Sequence, residues 1–133
     1  MHRPRKAASA RRPGDYVLLL NPWIHDFAAY DLWMKPLGLL YLGAMLEQAG
    51  WEVVLIDCLD PFDEATLARQ GRSRPQRKLG TGPLWAEPIE TPAPLAGIPR
   101  RYKRFGLPPE GLQARLQALP PPRGVLVTSM MTY

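Results

Sequence analysis

An α/β domain built on a parallel sheet is what this sequence predicts, and three observations carry the prediction. Residues 16–20 (YVLLL) and 53–56 (VVLI) are short, continuously apolar runs, the composition of parallel strands covered on both faces. Between them, Leu39, Leu42, Leu46 and Ala49 recur at helical spacing, with Leu40 and Ala44 widening the stripe. A third apolar run, residues 125–128 (VLVT), follows a second leucine-periodic segment. Strand, helix, strand in this order builds a right-handed βαβ unit.

Each element has its own local signals. Residues 1–14 (MHRPRKAASARRPG) lack apolar periodicity and are expected to be a disordered basic tail. Residues 15–133 form the domain, whose first strand is 16–20. Residues 21–35 (NPWIHDFAAYDLWMK) then make a long connection holding Trp23, Phe27, Tyr30 and Trp33. Such connections usually run two to six residues, so one this long is either functional or disordered. It leaves the carboxyl end of a parallel strand, where open α/β sheets bind ligands.

The first helix follows. Pro36 suits its opening turn, where the missing N–H goes unused, and Gly50 suits a left-handed cap at its end. After the second strand, residues 61–70 read as a short helix, with Asp63 and Glu64 near its positive end. The rest of residues 59–107 is rich in proline, glycine and arginine. It reads as an irregular insertion that wraps the sheet edge or meets a neighbouring domain. Helical period returns at 109–119 through Leu112, Leu116 and Leu119, and Pro120, Pro121 and Pro122 stop it. The strand at 125–128 follows, and SMMTY ends the sequence. Three strands and two main helices make about half of a doubly wound domain, so the sheet is expected to continue beyond Tyr133 and the chain to be a fragment.

Composition sets limits. With 133 residues, 46% of them apolar, one small domain with a core is possible. Seventeen Lys and Arg against twelve Asp and Glu give a formal charge of +5. The excess sits in the first twelve residues and in 69–78, and charge runs of this kind are ordinarily solvated. Cys58 is the lone cysteine, which rules out an internal disulfide and fits a reducing cytoplasm. No apolar run approaches the roughly 20 residues needed to span a bilayer, and no membrane partner is expected. The apolar run after the basic start is too short for a signal peptide.

Three stretches resemble the N-terminal part of cobalamin-binding-domain radical S-adenosylmethionine (SAM) proteins. Residues 18–60 carry an Asn-Pro turn after the first strand and the helix start Pro36-Leu37-Gly38-Leu39-Leu40-Tyr41-Leu42. Residues 98–110 (IPRRYKRFGLPPE) are similar to a segment of one subgroup, and residues 125–133 (VLVTSMMTY) to its continuation. Together they cover roughly half of the chain, in the right order. The resemblance implies a Rossmann-like domain that presents cobalamin to a following radical SAM barrel of the same parent chain, for methyl transfer or related radical chemistry. The barrel's Cys-x-x-x-Cys-x-x-Cys motif is absent here. The [4Fe–4S] cluster and SAM therefore belong to the parent alone, and no activity is expected of the fragment.

For cofactor contacts, the resemblance implies Ser129, with Met130 and Met131, at the nucleotide tail. Asn21 and Pro22 would form the other wall, and Trp23 and Tyr30 would lie against the corrin. A hydroxyl can donate to a ring nitrogen, and methionine packs adaptably on a flat apolar face. The two walls adjoin if the strand order is 2-1-3, the flavodoxin-like order. The Asp-x-His-x-x-Gly motif that supplies a cobalt-ligating imidazole is not matched around His25, which has neither the preceding Asp nor the following Gly. No metal ligand is therefore assigned.

Other classes fit less well. Nicotinamide binding needs Gly-x-Gly-x-x-Gly after the first strand, where Asn21, Pro22 and Trp23 stand instead. A cofactor-free Rossmann-like interaction domain is the main alternative, consistent with the lack of paired carboxylates or a Ser-His-Asp set. Nucleic-acid binding through Arg100, Arg101, Lys103 and Arg104, interleaved with Tyr102 and Phe105, rests on a short patch.

Overall fold

The computed structural model describes residues 13–129. Most of the basic tail, and Met130 and Met131, lie outside the described residues. In chain order the elements are β1 (Tyr16–Asn21), β2 (Ile24–Asp26), β3 (Tyr30–Asp31), α1 (Leu37–Gln48), β4 (Glu52–Asp57) and α2 (Glu64–Arg69). There follow β5 (Gly82–Pro83), β6 (Ala86–Pro88), a 3₁₀ turn (Ala93–Leu95), β7 (Lys103–Phe105), α3 (Pro109–Gln117) and β8 (Gly124–Val127).

The three apolar runs form one parallel sheet in the order β4-β1-β8, which is 2-1-3 among the sheet's own strands. Leu18 stands beside Val54 on one side and Val125 on the other. Because β1 is central, alternate side chains reach opposite layers. Tyr16, Leu18 and Ile56 pack with Leu112 and Leu119 from α3 and the residues after it. Val17 and Leu19 pack with Leu39 and Leu46 of α1. The Tyr16 hydroxyl donates to the Pro120 carbonyl at 2.7 Å, fixing the chain as it leaves α3.

Helix α1 ends as the sequence predicts. Gly50 takes φ +93°, its N–H bonds the Glu47 carbonyl and the Trp51 N–H bonds that of Leu46, the paired bonds of a Schellman cap. Its buried face is narrower than predicted. Leu39 and Gly43 are buried and Leu46 half-buried, whereas Leu40, Leu42, Ala44 and Ala49 are exposed. The helix approaches the sheet at Gly43, where a Cβ would come within 2.7 Å of Leu19 Cδ1. Side chains off that line reach past a three-strand sheet. Full coverage of both faces likewise holds for β1 only, since Leu55, Val125 and Val127 are exposed on the flanking strands.

The insertion is more regular than its composition suggests, which corrects the expectation of an irregular segment. Besides the expected short helix, α2, capped by the Asp63 side chain on the Thr66 N–H, it contains three short strands that were not expected. Strands β2, β7 and β6 form an antiparallel sheet, and β3 pairs with β5. Ile24, Leu59 and Phe105 form a third core cluster beneath it. Strands of two or three residues show no two-residue alternation long enough to read. No helix among the described residues is long and apolar enough to cross a membrane.

Candidate functional site

Parallel pairing brings the carboxyl ends of β1, β4 and β8 to one edge. Leu20 pairs with Val127, and the Thr128 N–H donates to the Leu20 carbonyl at 3.2 Å. Asn21 and Pro22, which follow Leu20, and Thr128 and Ser129, which follow Val127, therefore leave the sheet at the same carboxyl edge. Ser129 is exposed.

Asn21 is fully buried. Its Nδ2 donates to Asp57 Oδ1 at 2.7 Å, and its backbone carbonyl accepts from the Cys58 N–H at 2.8 Å. Asp57 Oδ1 also accepts the Leu59 N–H at 3.0 Å. Asn21 Oδ1 is buried with no hydrogen-bond partner among the described residues. An amide oxygen so placed is an unmet acceptor, the kind of group for which a bound donor is a natural complement.

The β4 end of this edge is closed by the chain itself. The Leu107 N–H donates to the Cys58 carbonyl at 2.7 Å, and Leu107 and Pro108 are almost wholly buried. Gly106 permits the approach: its φ is +121°, and a Cβ there would stand 2.4 Å from the Cys58 oxygen. Trp23 belongs to this closure. Its indole N–H donates to the Leu107 carbonyl at 2.6 Å, and the Arg104 guanidinium lies 5.6 Å from its ring centroid. Arg104 is also bonded to Glu87.

Of the predicted contacts, Asn21, Pro22 and Ser129 share the edge, and Trp23 faces the insertion. Tyr30, 47% exposed, lies in the β3–β5 ribbon opposite Pro83. His25 is exposed in β2 opposite Arg104. Sequence reasoning missed Asp57, Gly106 and Leu107. Asp57 was detectable as the one carboxylate that the register of the two apolar runs sets opposite Asn21.

Two ionisable groups are perturbed nearby. Burial pushes the Cys58 thiol up to about 11, helped by the Asp57 charge and opposed by Arg115. For Asp63, burial acts to raise the carboxyl. The Thr66 hydroxyl and N–H and the Arg115 guanidinium outweigh it and hold the group below the ordinary range. No group of three or more His, Cys, Asp or Glu able to hold a metal occurs among the described residues. What the edge offers is hydrogen bonding and shape. Comparison with protein-family models, curated proteins and solved structures finds no match.

Proposed function

We propose that this chain is the Rossmann-like, cobalamin-binding-type part of a radical SAM protein, holding the cofactor at the edge between β1 and β8. One observation carries the reading: the parallel order β4-β1-β8 brings Asn21, Pro22 and Ser129 off the sheet at the same carboxyl edge. Reversal of strand order beside a central strand is where doubly wound sheets bind ligands. The resemblance of residues 18–60, 98–110 and 125–133 supplies the identity of the ligand.

The residues fit the group in part. Asn21 Oδ1 is an unmet buried acceptor, and Ser129 is exposed. Trp23 can offer its ring only, because its N–H is already bonded. When bound, cobalamin supplies methyl transfer or related radical chemistry in concert with the parent's iron–sulfur and SAM barrel. This chain's own task is to bind and orient.

The test is reconstitution with hydroxocobalamin followed by gel filtration. Corrin absorbance eluting with the protein at one equivalent supports the reading, and protein eluting free of corrin refutes it. A second reading, an interaction domain without cofactor, is favoured by the closure of the β4 end by Gly106 and Leu107. The corrin-free outcome is the one it predicts.

A further inference from the structure

Among the described residues, two non-glycine residues have left-handed backbones, Trp33 at φ 60° and Leu79 at φ 52°. They are bonded to each other, the Trp33 indole N–H donating to the Leu79 carbonyl at 3.0 Å. Leu79 opens the tight turn at residues 78–81. The Lys78 N–H bonds the Thr81 carbonyl at 2.8 Å and the Thr81 N–H returns to Lys78 at 3.0 Å. With Gly80 at φ 82°, both central residues are left-handed, as in a type I′ hairpin. The first central position of that turn favours Asn, Asp or Gly. Here it holds a leucine that is 86% exposed. Trp33 and Leu32 are 65% and 61% exposed beside it. Behind the tip, a buried ion pair between Asp31 and Arg77 and the pairing of β3 with β5 hold the two loops together.

Strain of this kind persists only where the surroundings impose it, and it marks functional segments more often than neutral ones. What this tip accomplishes is display: large apolar side chains are held outward on a hydrogen-bonded base. Lys35 and Lys78, both exposed, flank it.

We propose that this tip docks on an anionic lipid surface. The indole N–H and the Leu79 carbonyl already satisfy each other, so the ring can enter an apolar medium without stranding a donor. Tryptophan with flanking lysines suits the headgroup boundary, where the ring sits at the interface and the ammonium reaches back to lipid phosphate. Lysine is depleted in protein–protein interfaces, which disfavours a protein pocket as the occupant. The absence of a long apolar run bears only on spanning, since surface contact needs side chains alone.

The experiment is sedimentation of the chain with phosphatidylcholine vesicles, with and without phosphatidylglycerol, for wild type, Leu79→Asn and Leu79→Gly. Both substitutions suit the turn, so both variants should melt at or above the wild-type temperature. Wild type is expected to sediment with anionic vesicles only, and both variants to bind about tenfold more weakly, the loss expected of one leucine side chain. Wild type left in the supernatant overturns the proposal, as a protein-docking tip would behave. Equal binding by the variants also overturns it, since a basic tail alone would give that result. So does equal binding to neutral vesicles.

Discussion

Asn21 Nδ2 donates to Asp57 Oδ1 at 2.7 Å and so ties the carboxyl ends of β1 and β4, two residues that the parallel register places directly opposite each other. Removing the acceptor leaves a fully buried amide without its partner. Asp57→Ala is therefore expected to cost about 2 kcal/mol, the usual penalty for an orphaned buried donor. Asp57→Asn, which keeps an acceptor, should cost less. Urea denaturation of the two variants checks both expectations.

Gly106→Ala tests the closure at β4. The added methyl meets the Cys58 carbonyl oxygen at 2.4 Å on a backbone with φ +121°, so crowding and strain act together. A loss of about 2–3 kcal/mol is expected from the two effects. A thermal melt unchanged from wild type would show that this segment can retreat without cost.

Asp63 sets the sign of an acid transition. Its carboxyl is held below its ordinary value by Thr66 and Arg115, so the folded state binds that proton less readily than the unfolded chain. The stabilisation is complete above the ordinary carboxylate pKa of about 3.9 and is lost as pH falls through the depressed folded value. Arg115→Met should move the acid limb of the stability curve to higher pH and leave its neutral slope unchanged. Denaturation midpoints measured across the acid range decide this.

Cys58 should be nearly inert while the chain is folded. With its pKa raised from 9.0 to about 11, the thiolate fraction at neutral pH falls about a hundredfold, and the side chain is wholly buried. Iodoacetamide at pH 8 is expected to label the native protein at least a hundredfold more slowly than the urea-unfolded chain. Comparable rates would mean that β4 opens readily at its carboxyl end.

The parallel sheet was legible because its signals are local and long: three apolar runs, a proline-opened and glycine-capped helix, and a proline-stopped one. The cap at Gly50 was readable from the end of the helix, whereas the order β4-β1-β8 was an expectation that the runs alone do not fix. The second sheet was not legible. Its strands are each three residues long, and pairings such as His25 with Arg104 close across nearly eighty residues of chain. The narrow face of α1 was hidden for another reason. Periodicity shows which residues can face a core but not how wide that core is, and here only Leu39, Gly43 and Leu46 find it. At the candidate edge, Asn21, Pro22 and Ser129 came from the resemblance, and the apolar runs told only that they follow strand ends. The use of Trp23 to bind the Leu107 carbonyl was not legible, because nothing local marks a partner that far along the chain.

Equilibrium dialysis of the chain against cobalamin, for wild type and Ser129→Trp, tests the central claim most directly. If the edge between β1 and β8 holds the corrin cofactor, wild type saturates at one equivalent, and the indole at residue 129 weakens binding about tenfold or more, an overpacking penalty above 1.4 kcal/mol. No saturable binding by wild type, or the same affinity in both proteins, contradicts the assignment of that edge.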